Sequence, residues 1–281
     1  PPVRLERSRE LTLQSASMST VFYTCVTGPG NGYVHDVRDM DNCGFDFVVI
    51  HDSHHGKFPG WRSINIDAVY PFDKDMHGHK QRYAKTMPHL FLEGYDYSVY
   101  LDPKWELTEN LLNLCRQKVE ENLSWLVCTR PSHSTLFEEF LFPFSNGTLS
   151  YEECVRVVDT LVDEKVDFEK YFASLNTWII RQHNHTNEKI GQHWFGLIHK
   201  CYDNHVRDQI LLPFAIESLD QVNRCLSIEQ LYRAGVRLNY PNQNRIRKVD
   251  WQKQIYDLIA YLHSRTGLLP NQQVPRTLRN S

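Results

Sequence analysis

The sequence lacks any apolar run long enough to cross a bilayer, which excludes a hydropathy-detectable transmembrane helix. It has no concentrated basic block, and its 31 Lys and Arg against 34 Asp and Glu leave a net charge of −3. An electrostatic nucleic-acid groove is therefore excluded as a leading reading. There is no Cys-x-x-Cys pair among the seven cysteines. An odd number with several in apolar runs (Cys25, Cys115, Cys128, Cys201) argues against a disulfide framework. Reduced, buried thiols and a cytoplasmic setting are expected instead. No internal repeat and no composition break divides the chain.

What is present is aromatic mass: 14 Tyr, 14 Phe and 6 Trp in 281 residues. Such rings serve a large core or a sugar cleft, since aromatic faces pack on pyranose C–H faces. Residues 1–17 are polar, basic and aperiodic, and are expected to be a tag or loose arm, with Met18 a natural start. Residues 18–266 are expected to form one domain, and the Pro/Asn/Gln/Arg-rich stretch 267–281 a loose tail.

Strands are expected at Thr20–Thr27, Phe45–His51, Trp61–Val69, Tyr97–Leu101, Ser124–Thr129 and Thr177–Arg181. Helices are expected over Lys80–Leu92, Asn110–Asn122, a start at Thr135–Phe140, Tyr151–Glu164, Lys189–His199, Arg207–Glu217 and Trp251–Ser264. This alternation predicts an α/β fold, a mostly parallel central sheet flanked by helices. Ligands of such sheets gather beyond the carboxyl ends of the strands. Gly28 and its Gly-rich turn, Asp52 and Asp102 all fall at such ends.

Asp102 closes an apolar strand. It reads either as a ligand for the divalent cation (Mn²⁺ or Mg²⁺) that neutralises a nucleoside diphosphate leaving group, or as a cap on the next turn. The second carboxylate of an Asp-x-Asp pair is missing, because Pro103 and Lys104 follow. Lys104 could touch a phosphate as a point charge. A literal Asp-x-Asp stands earlier, at Asp73 and Asp75, where it reads equally as a helix-start signal. His51, His54 and His55 are read as a solvated loop rather than a metal site, because no His-x3-His pair lies on a predicted helix. His79, Lys80, Arg82 and Lys85 cluster at a helix start and offer either a diphosphate-binding face or a solvated one. Asp208 opens a predicted helix, as a dipole-favoured first-turn residue or as a catalytic base.

Four blocks carry a resemblance. They are Phe47–Asp52 followed by Gly60-Trp61, and Arg82–His89 running into Tyr95–Asp102. His133 with Glu138 and Glu139 is the third. Asn176–Arg181, followed at a distance by Arg207-Asp208-Gln209, is the fourth. In order and spacing, over about Phe22 to Phe214, the chain resembles the glycosyltransferase-like family first catalogued as domain of unknown function 616. The resemblance implies a GT-A-like fold with Asp102 near the donor phosphates, Arg82 and Lys85 as its basic helix, and Asp208 as the catalytic carboxylate. Gly28 and Asp52 would lie near the nucleotide, and His133 and Glu138 near the acceptor. Family members read Asp-Gly where this chain reads Asp102-Pro103, which puts the metal geometry in question. Within the family the chain is most similar to chlorovirus members that build capsid glycans. That implies inverting transfer of xylose from UDP-xylose to a fucose of an oligosaccharide acceptor. A carbohydrate-binding protein with a degenerate transferase fold and a two-carboxylate sugar hydrolase are the competing readings.

Overall fold

The computed structural model describes residues 18–268 except 30–33, 41, 55, 73–75, 104, 130–134, 146, 172–173, 202–206, 218–224, 228–229, 231–232 and 235–250. Asp73, Asp75, Lys104, His133, the expected arm 1–17 and residues 269–281 of the expected tail thus lie outside the described residues.

Seven strands form one sheet: β1 (Thr20–Val26), β2 (Asp46–His51), β3 (Arg62–Asn65), β4 (Tyr97–Leu101), β5 (Trp125–Thr129), β6 (Ser174–Gln182) and β7 (Cys225–Ser227). Their spatial order is β3-β2-β1-β4-β6-β5-β7. Strands β1 to β4 run parallel, as do β5 and β7, while β6 is antiparallel to both neighbours. The sheet is mostly parallel, as expected. Neither the reversal of β6 nor the short β7 has a counterpart in the sequence reading.

Strand β1 is buried at every position, the signature of a strand covered on both faces. Alternate residues supply two cores. Val21, Tyr23 and Cys25 join Val48, Ile50, Tyr100 and Ile179 on one face; Phe22 and Val26 join Phe47, Val49, Val99, Trp178 and Ile180 on the other. The second core is closed by α2 (Glu109–Glu120), through Leu111, Leu112, Cys115 and Val119. The first core takes α1 (His77–Thr86), α3 (Leu136–Ser145), α4 (Tyr151–Asp163), α5 (His185–Cys201), α6 (Asp208–Glu217) and α7 (Trp251–Thr266). The molecule is thus three layers deep, helix–sheet–helix, with one layer much the heavier.

Helix ends follow local chemistry. Thr108 caps α2 through Leu111 N–H, and Ser150 with Glu153 forms a reciprocal capping box on α4. Two expected elements are shorter than the periodicity suggested. The strand expected over Trp61–Val69 stops at Asn65, whose side chain accepts from Asp67 N–H and starts a 3-10 turn at Ile66–Ala68. The helix expected over Lys80–Leu92 ends at Thr86, because Pro88 disfavours helical geometry before it and opens a separate 3-10 turn.

Candidate active site

Strand order places a switch point between β1 and β4. The chain proceeds from β1 outward to β2 and β3, then returns to the far side of β1. A crevice opens at the carboxyl end of such a pair. Helix α1 lies along that rim, and its Gln81 side chain donates to the Cys25 carbonyl at the end of β1.

Four charged side chains meet there. Lys85, near the C-terminus of α1, places Nζ 2.7 Å from Asp208 Oδ2 and 4.0 Å from Asp102 Oδ1. Arg82 Nε is 3.3 Å from Asp208 Oδ1. The Lys85 ammonium also lies 4.8 Å over the Tyr100 ring, and the Tyr100 hydroxyl donates to Asp102 Oδ1 at 2.7 Å. Both Lys85 and Asp208 are buried. The basic cluster is therefore not a solvated helix face: His79, Lys80 and Lys85 are buried, and Lys80 is committed to Asp67 at 2.8 Å.

Burial alone would raise the Asp208 carboxyl, but Lys85 and Arg82 outweigh it and bring the group down to about 2. Burial pulls the Lys85 ammonium below the usual lysine range, while Asp208 and Asp102 push it back up. Burial pushes the Cys25 thiol, which shares this field, above the ordinary range. That thiol is poorly nucleophilic.

The geometry around Lys85 is set from β6. Arg181, buried against the Trp125 ring at 4.9 Å, donates to the Lys85 carbonyl and to Thr86 O at 3.3 Å. The Tyr23 hydroxyl donates to the same Lys85 carbonyl at 3.0 Å. These groups satisfy carbonyls that the end of α1 leaves open. The antiparallel run of β6 also brings its first residues to this rim. Ser174 donates to the Gln209 carbonyl at 3.2 Å, and Trp194 Nε1 to the Asp208 carbonyl at 3.2 Å. Both fix the start of α6.

Among the described residues, Asp102 pairs with the Lys85 ammonium rather than with a second carboxylate. The gap between the Asp102 and Asp208 carboxylates already holds an ammonium, and Asp73 and Asp75 lie outside the described residues. Glu138 also reads differently. Its carboxylate accepts from Thr135 N–H at 2.7 Å, and its own N–H donates to Thr135 Oγ1 at 3.3 Å. That is a capping box at the start of α3.

At the other end of α1 is a second cluster. Asp52 is fully buried at the end of β2. Its Oδ2 accepts from Gly28 N–H at 2.7 Å and lies 3.0 Å from His77 Nδ1 and 3.3 Å from His54 Nδ1. Its Oδ1 accepts from His54 N–H at 3.2 Å. Gly28 is required twice over: its φ is +79°, and a Cβ there would meet the His77 ring at 2.7 Å. Among the described residues, Asp52, His54 and His77 form a group able to hold a metal ion. His54 is exposed in a turn, as the solvated-loop reading expects, and its Nδ1 also faces the buried Asp52 carboxylate. His55 lies outside the described residues, and His51 turns its Nδ1 to the Asp52 carbonyl instead. His77 was not singled out from sequence. Asp52 and His54 are close in sequence, but His77 arrives from 25 residues beyond Asp52, and no spacing rule links it to them.

No family model and no curated protein matches the chain. The likeness to the glycosyltransferase-like family thus rests on the four sequence blocks. Among solved structures, the chain is similar to a 4-diphosphocytidyl-2C-methyl-D-erythritol synthase from Anaerococcus prevotii. The identity is 10%, covering 88% of this chain and 97% of that one, with a TM-score of 0.38. A likeness this loose carries no argument about activity. No described helix is long and apolar enough to cross a membrane.

Proposed function

We propose that this chain is a glycosyltransferase that takes its sugar from a nucleoside diphosphate donor at the β1–β4 rim. One observation carries the reading: two cations, the buried Lys85 and the partly buried Arg82, are clustered with two carboxylates, Asp208 and Asp102, at the switch point in the strand order. A diphosphate leaving group gains negative charge as its bond to the sugar breaks. Pre-positioned cations in a site of low dielectric stabilise that charge most.

The acceptor hydroxyl oxygen attacks the anomeric carbon from the face opposite the diphosphate. The anomeric C–O bond to the diphosphate breaks with its electron pair, and the hydroxyl proton passes to Asp208. Lys85 and Arg82 hold the Asp208 carboxyl below the ordinary carboxylate range. When the diphosphate draws both cations toward itself, Asp208 loses their field and its proton affinity rises. The negative carboxylate also favours the oxocarbenium-like transition state. Asp102 is the second carboxylate near Lys85, at 4.0 Å. Asp52 and Gly28 shape the neighbouring turn on the nucleotide side. The block resemblance supports UDP-xylose as donor and a fucose-bearing oligosaccharide of a viral capsid glycan as acceptor.

The test compares wild type with Asp208→Asn, using a panel of UDP-sugars for transfer and calorimetry for UDP binding. Transfer should fall by at least about 10²-fold. UDP affinity should hold or rise, because Lys85 and Arg82 lose their competing carboxylate. Circular dichroism checks that the variant is folded. Turnover like wild type in the folded variant would overturn the base. Absence of both UDP binding and transfer in the wild type would overturn the donor class. Glycan binding in that case would favour the carbohydrate-binding reading.

A further inference from the structure

We propose that Asp52, His54 and His77 form a binding site for a borderline first-row divalent cation, Zn²⁺ above all. The site is separate from the Lys85–Asp208 cluster and does not rest on the transferase reading. His77 and Lys85 stand eight residues apart on α1, roughly 12 Å along the helix axis.

Donor spacing is the first argument. Bonds of about 2.0–2.1 Å to a tetrahedral zinc put neighbouring ligand atoms roughly 3.4 Å apart. The Asp52 oxygen lies 3.0 Å from His77 Nδ1 and 3.3 Å from His54 Nδ1, so an ion can sit against all three after small ring movements. All three donor atoms fall within 4.8 Å of one another.

The second argument is the shell behind the ligands. Gly28 N–H and His54 N–H each hold one oxygen of the carboxylate. Outer-shell bonds of this kind orient a ligating group. The missing side chain at Gly28 is what leaves room for the His77 ring. Three separate segments, the β1 turn, the β2 end and the first turn of α1, are thus shaped around one point.

Access is the third. Asp52 closes the inner side with no exposure, whereas the His54 and His77 side chains are 39% and 33% exposed. An ion bound there would have three protein ligands and an open position facing solvent, the arrangement of reactive rather than purely structural zinc sites. Two imidazoles with one carboxylate favour zinc-like cations over Mg²⁺ or Ca²⁺, which take oxygen ligands.

The probe is Co²⁺ alone, added to the full chain after chelator treatment and followed by its visible d–d absorption, with Zn²⁺ as competitor. One equivalent should bind with a tetrahedral spectrum and be displaced by Zn²⁺. His54→Ala, at a partly exposed position, and His77→Ala should each weaken binding by more than about tenfold, whereas Asp102→Asn should leave it unchanged. The proposal is overturned if wild type shows no saturable binding, if both histidine variants bind like wild type, or if Asp102→Asn abolishes binding.

Discussion

Lys85 is 5% exposed and shares its charge between two carboxylates. A buried ion pair broken from one side leaves an uncompensated charge, at about 3–5 kcal/mol. Asp208→Asn should therefore lower stability by that order at neutral pH, as measured by urea unfolding. The pH dependence has a definite sign. An unpaired aspartate titrates near 3.9, and the folded carboxyl is held down at about 2. Its contribution is complete above the higher value and is lost as pH falls through the lower one. The stability gap between wild type and variant should therefore be full at pH 6 and close as the pH falls toward 2. A gap that stayed constant over that range would rule out the pairing. Gly28→Ala combines a left-handed backbone with a clash against His77. A cost of about 1–3 kcal/mol is expected in thermal unfolding.

Among the elements, α1 and α5 approach more closely than side chains normally allow. A Cβ on Gly191 of α5 would stand 2.2 Å from the Thr86 carbonyl oxygen. That atom is backbone and cannot swing away, so Gly191→Ala must push the helices apart. A loss of about 1–3 kcal/mol follows, and because Lys85 is the preceding residue, UDP binding should weaken with it. Retained UDP affinity in a destabilised Gly191→Ala would separate the packing from the site. Arg181→Met keeps much of the stem's bulk but removes the donors to the Lys85 and Thr86 carbonyls. It should raise KM for donor more than a surface Arg→Met change does.

For the molecule as a whole, the α/β layering was legible because strands buried on both faces read as unbroken apolar runs ending in Gly, Asp or Pro. Strand β4 was expected at Tyr97–Leu101 and lies there. The order of sequence blocks likewise set apart Arg82, Lys85, Asp102 and Asp208, which the fold brings into one cluster. Strand direction was not legible: period-two burial is the same for either orientation, so β6 gave no sign of its reversal. Glu138 carries a local signal as well. Its place near the acceptor is what the resemblance implies, whereas its local role, the cap with Thr135, is written in the Thr-x-x-Glu spacing. His77 escaped for another reason, since it acquires its partners only through contacts that span many residues; Arg181 closes the fourth block, but its hold on the end of α1 is likewise a long-range contact.

The reversed β6 also dictates an order of events at synthesis. It is the partner that both β4 and β5 require, for those two strands never touch. A ribosome-bound chain that has emerged only as far as α4 already contains Lys85 and Asp102. It still lacks Arg181, which grips the end of α1, and Asp208, which answers the lysine's charge. The growing polypeptide can assemble β1, β2, β3 and β4 early, yet the cluster of Arg82, Lys85, Asp102 and Asp208 waits until the start of α6 has emerged.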